Sequence, residues 1–152
     1  MKKLFSLALL VASYVLAPHG KDEDRERMVM DTAKVNESLF RSYGCYCGVE
    51  STENGEPKDY IDVCCQILNC CYEALRMVRC DPKMSSYKYT YDGEVVECYT
   101  ANRALWCETN VCSCDRYYSI CLIDSHRLFN EEFVPSGLRD CPGSAPKECF
   151  IK

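Results

Sequence analysis

Residues 64–72, CCQILNCCY, place two cysteine doublets six positions apart and leave Leu68 and Asn69 between them. Neighbouring side chains on an α-helix point about 100° apart, so each doublet can tie one helix to two different neighbours. The surrounding stretch supports that helix. From Pro57 to Cys80, Ile61, Cys64, Leu68, Cys71, Leu75 and Val78 recur at three- and four-residue spacing, which is one helical stripe. Pro57 suits an early helical position and Asp59 puts negative charge in the first turn.

A second helix is expected over roughly Asn102 to His126, with Cys107, Val111, Cys114 or Asp115, Tyr118 and Leu122 on its stripe. Between the two, Tyr87, Tyr89 and Tyr91 alternate up to Asp92-Gly93 and are followed by Val95, Val96 and Cys98, a hairpin signal. Residues 21–42 also read as helical. They open with a charge run from Lys21 to Arg27, and Met28, Val29, Ala33, Leu39 and Phe40 appear only afterwards. Residues 43–56 and the tail from Pro135 to Lys152 read as loop.

The chain has 152 residues, 14 cysteines and a net charge of −5. An even cysteine count at this density implies a disulfide framework made in an oxidising compartment. Zinc is the competing reading for such cysteines, but its sites prefer a spacing of two to four residues and usually histidine partners. An acidic balance argues against nucleic-acid binding, which needs a basic face to neutralise phosphates. Residues 1–20 read as a signal peptide, with Lys2 and Lys3 before an apolar run from Leu4 to Ala17. Residues 21–152 then form one secreted domain with no transmembrane segment. Removing the leader takes the charge to −7, because it carries two lysines and no acids, and leaves His126 as the only histidine. Asn36-Glu37-Ser38 is a sequon, so Asn36 is a candidate glycosylation site.

The strings YGCYCG (43–48), PKDYIDVCC (57–65), CCQILNCCY (64–72) and VCSCDR (111–116) resemble the secreted phospholipase A2 family, with the cysteine spacing of its group II branch. The resemblance implies a mainly α, disulfide-rich fold. Its parts would be two long antiparallel helices, an N-terminal helix and a small β-hairpin, the β-wing. It implies the pairings Cys45–Cys141, Cys47–Cys65, Cys64–Cys121, Cys70–Cys149, Cys71–Cys114, Cys80–Cys107 and Cys98–Cys112. It also implies calcium-dependent hydrolysis of the sn-2 ester of glycerophospholipids. There a histidine serves as general base on water, an aspartate orients it, and calcium held by loop carbonyls and a second aspartate polarises the ester.

This chain departs from that pattern at three places. The family's histidine is Leu68 and its calcium aspartate is Asn69. Leucine cannot take a proton, and loss of a positioned base costs about a hundred- to ten-thousand-fold in rate. His126 lies too far along the chain to be a natural substitute. The calcium loop, read at Tyr46, Gly48, Glu50 and Asn69, has two extra residues and lacks the family's double glycine; Glu50, Glu53 or Glu56 are the only candidate replacement carboxylates. The N-terminal helix carries Asp22 and Arg25 where the family places apolar side chains toward lipid, so phospholipid binding is expected to be weak.

Asp115, Tyr72 and Tyr87 match the family's orienting aspartate and its two tyrosines, and read here as a structural hydrogen-bond network. The expectation is therefore a secreted, acidic pseudoenzyme with no cofactor, calcium being lost or weakly held. It would act by binding a mineral or matrix, a receptor or a partner subunit. The alternative is a working calcium-dependent phospholipase A2.

Overall fold

The computed structural model describes residues 21–48, 51, 54–100, 103–143 and 149. The leader expected over residues 1–20, the candidate carboxylates Glu50 and Glu53, and Asn102 lie outside the described residues.

The first helix, α1, runs Lys21–Ala33 with Asp22, Glu23 and Asp24 in its first turn, where the positive end of the helix dipole favours them. Its inner face is Met28, Val29 and Ala33, all buried. The sequence reading carried this helix on to residue 42, and the structure corrects it. Lys34 turns left-handed at φ 57°, and Asn36 then caps a separate 3-10 turn, Glu37–Phe40. The Asn36 side-chain oxygen accepts from the Ser38 amide at 2.9 Å.

The second helix, α2, spans Tyr60–Met77. It is shorter at both ends than the expected Pro57–Cys80. Asp59 is an extended N-cap whose carboxylate accepts from the Asp62 amide, so Pro57 stays outside the helix. At the other end Arg79 is left-handed at φ 63°, and the Cys80 amide returns to the Leu75 carbonyl, which closes the helix before Cys80. Val78 is accordingly exposed rather than part of the buried stripe.

The β-wing is smaller than the alternation suggested. Strand β1 is Tyr89–Tyr91 and strand β2 is Val96–Cys98, antiparallel, with Tyr89 opposite Cys98 and Tyr91 opposite Val96. Residues 92–95 form the connection. Asp92 accepts from the amides of Glu94 and Val95, so Val95 belongs to the turn and is exposed. The third helix, α3, is Trp106–Ser125, entered through a 3-10 turn at Arg103–Leu105 and left through another at His126–Leu128. Its buried face holds Val111, Cys114, Asp115, Tyr118 and Leu122.

All fourteen cysteines are in disulfides, and the pairs are those the family resemblance implies. Cys64 bridges to Cys121 and Cys71 to Cys114, which requires α2 and α3 to run antiparallel. The other member of each doublet reaches elsewhere: Cys65 to Cys47 in the preceding loop, Cys70 to Cys149 in the tail. Helix α1 packs against α3, and one core cluster joins all three helices. No helix among the described residues is long and apolar enough to cross a membrane.

Candidate functional site

A cavity of about 480 Å3 opens between α1, α2 and the loop that precedes α2. Phe40, Cys65 and Leu68 are among the apolar side chains that line it. Leu68 is 7% exposed, so the position that the family resemblance would assign to a general base carries a buried hydrocarbon side chain. Asn69 and Tyr72 line the same cavity.

Behind Tyr72 lies Asp115, which is fully buried. The Tyr72 and Tyr87 hydroxyls both donate to its carboxylate, Tyr87 at 2.7 Å. Burial, reinforced by the Asp115 charge, pushes both phenols far above the usual tyrosine range. Both therefore remain protonated and act as donors to a carboxylate that sees no water.

The inner wall carries charge. Arg25 pairs through Nε with Glu37 Oε1 at 2.6 Å, and its Nη1 lies 3.0 Å from Asp22 and 3.4 Å from the Tyr72 hydroxyl. Burial opposes the guanidinium's charge, but Glu37, Tyr72 and Asp115 together outweigh it and hold its pKa well above the ordinary value. For Glu37 the balance goes the other way: burial raises its pKa despite the pull of Arg25. Arg25 was expected from sequence to spoil an apolar, lipid-facing surface. The structure shows it turned inward, and its partner Glu37 was not singled out. Glu37 carries no sequence signal of this role: it shares its turn with the exposed Ser38 and Leu39, and only Phe40 of that turn is buried with it.

The loop from Tyr43 to Gly48 is built on Asp62, another residue the sequence reading passed over. Its carboxylate, fully buried, accepts from the amides of Cys45 (2.8 Å), Tyr46 (2.8 Å) and Lys58 (2.9 Å). Gly44 makes that approach possible, since a Cβ there would fall 2.2 Å from the Asp62 carboxyl carbon. Three successive carbonyls then find donors within the protein. Tyr46 O accepts from Asn69 Nδ2 at 2.8 Å, Cys47 O from Arg139 at 2.8 Å, and Gly48 O from the Ser51 amide at 3.3 Å.

The remaining candidates lie away from the cavity. Glu56 is exposed and does not line it. His126 is half-buried, follows the end of α3, and places Nδ1 2.7 Å from the Leu122 carbonyl. It is eleven residues beyond Asp115, about 16 Å along the helix at 1.5 Å per residue. Among the described residues there is no group of three or more His, Cys, Asp or Glu side chains placed to hold a metal ion.

A disulfide-braced pair of antiparallel helices, with a buried aspartate held by two tyrosines beside a cavity, defines the class of small disulfide-rich helical scaffold to which this chain belongs. The phospholipase A2 family model matches residues 24–134, and the chain belongs to that family. It is 31% identical over 148 residues to the human "Phospholipase A2, membrane associated", covering 97% of this chain and 99% of the relative. It is 33% identical over 153 residues to the human "Group IIF secretory phospholipase A2", covering 99% and 88%. A "Phospholipase A2 homolog" of Echis ocellatus is 30% identical over 143 residues, covering 92% and 96%. The disulfide-rich fold and these relatives are consistent with an extracellular location.

Proposed function

We propose that this chain is a secreted phospholipase A2 homologue that has lost ester hydrolysis and works by binding. The observation that carries the reading is Leu68. A buried leucine stands at the motif position of the general base, and no described histidine lines the cavity. The Arg25–Glu37 pair adds to it, since an acyl chain entering that wall would have to lie against buried charge.

The described residues do not fit a resident calcium ion. Hard cations need several oxygen ligands, usually with anionic charge. Asn69 instead turns an N–H donor to the Tyr46 carbonyl, and Gly48 O accepts from the Ser51 amide. We therefore assign no step to a metal.

The binding role we favour involves a partner or matrix recognised through acidic surface chemistry, given the charge of −7 expected for residues 21–152. A receptor or a basic partner subunit would draw on the same charge. Asn36 is exposed, which suits glycan attachment, and its side-chain oxygen already orders the turn to Ser38.

The names of the relatives favour a second reading, calcium-dependent hydrolysis of the sn-2 ester. One assay separates the two: release of fatty acid from phospholipid vesicles by the purified protein, in millimolar calcium and then in chelator. The proposal expects no turnover in either. Calcium-dependent turnover that follows the protein through purification would establish the second reading.

A further inference from the structure

The tail returns to the loop it left ninety residues earlier. Cys141 bridges to Cys45, and two residues before it Arg139 lays its guanidinium along the main chain of residues 41–47. Nη1 lies 2.8 Å from Cys47 O, 3.3 Å from Gly44 O and 3.5 Å from Tyr43 O, and Nη2 lies 3.4 Å from Arg41 O. The carbonyls converge because the chain turns through left-handed φ values at Gly44 (+56°) and Gly48 (+79°). A Cβ at Gly48 would fall 1.7 Å from Arg41 O, so the two ends of this turn are in direct contact. Carbonyl dipoles aimed at one place repel one another, and such a turn needs a cation or several donors to hold it. A guanidinium supplies both, with a planar fork of five N–H groups and a charge that persists at any physiological pH.

We propose that Arg139 is the built-in cation that orders the loop of residues 41–48, so that the loop holds its shape without a metal ion. Asn69 on Tyr46 O and the Ser51 amide on Gly48 O complete the arrangement at the neighbouring carbonyls. The Cys45–Cys141 bridge delivers the guanidinium, which makes the tail part of the loop's support. The inference rests on the proposed loss of calcium only insofar as a loop ordered from within has no need of the ion.

The test compares wild type, Arg139→Gln and Arg139→Lys by hydrogen exchange at the amides of residues 44–48 and by thermal melting, each in chelator and in millimolar calcium. Wild type should give the same exchange and the same Tm in both conditions. Arg139→Gln should speed exchange by roughly tenfold or more and lower Tm by about 5 °C. Arg139→Lys should fall between, because one ammonium cannot span four carbonyls. Unchanged exchange in Arg139→Gln would overturn the proposal, as would wild-type protection that appears only with calcium. Should Arg139→Gln fail to fold, the lysine variant and the wild-type comparison still decide. Vesicle hydrolysis by wild type with the expected Arg139 results would sink the pseudoenzyme reading alone; absent hydrolysis with an inert Arg139→Gln would sink this one alone.

Discussion

Removing the Glu37 carboxylate should cost far more than removing the Arg25–Glu37 pair as a whole. The two side chains are 16% and 9% exposed and meet at 2.6 Å, so both charges were taken out of water when the cavity wall formed. Deleting one member of a buried pair leaves the other charged and unpaired, a loss of about 3–5 kcal/mol. In Glu37→Ala the stranded guanidinium keeps Asp22 at 3.0 Å, but that carboxylate is 65% exposed and returns at most ~1 kcal/mol. The expected net loss is about 3 kcal/mol, or about 10 °C in Tm for a domain of this size. Arg25→Leu should cost less, about 2 kcal/mol, because burial already raises the Glu37 pKa and the stranded carboxyl can take up a proton. Replacing both by leucine removes both desolvation costs and should come within about 1 kcal/mol of wild type or exceed it. Thermal melts followed by circular dichroism on the three variants, at one pH and one salt concentration, form the double-mutant cycle. A double variant as unstable as the two single losses added together would refute the reasoning, for it would mean the charges contribute independently.

Three further outcomes follow from the same geometry. Leu68→His combined with Asn69→Asp should not restore hydrolysis of phospholipid vesicles, because the Arg25–Glu37 wall, the Arg139 guanidinium on Cys47 O and the Ser51 amide on Gly48 O remain; turnover near that of an active relative would contradict this. Gly44→Ala should destabilise by about 3 kcal/mol or prevent folding, since the new Cβ meets the Asp62 carboxyl at a left-handed φ, and a wild-type melting temperature would be incompatible with that contact. The raised pKa of Glu37 means the folded state binds its proton more readily than the unfolded state. Its contribution to stability is therefore full below the ordinary value of 4.5 and is lost as pH rises through the folded value. Glu37→Gln should flatten this part of the stability profile, and melts of variant and wild type across the acidic range would expose an unchanged difference.

Much of this architecture is legible in local pattern. The stripe through Ile61, Cys64, Leu68 and Leu75 needs only helical periodicity, and the place of Leu68 and Asn69 between the doublets is a matter of reading the chain in order. Helix limits were less legible because they depend on single backbone choices, the extended Asp59 cap and the left-handed Lys34 and Arg79, which residue type alone does not dictate. What remained hidden is what depends on distant segments meeting. Arg25 finds Glu37 twelve residues on, Asn69 finds Tyr46 across twenty-three, and Arg139 reaches Cys47 across ninety-two. No spacing rule joins such residues, because a charge or an amide has the same local signature whether it faces water or a buried partner. Sequence by itself determined the family framework and the leucine between the doublets. Only the tertiary structure decided that Arg25 turns inward to a carboxylate, that Asp115 is sealed from water, and that a guanidinium from the tail lies on the loop carbonyls, since each depends on which desolvated groups the packed chain brings within hydrogen-bond reach.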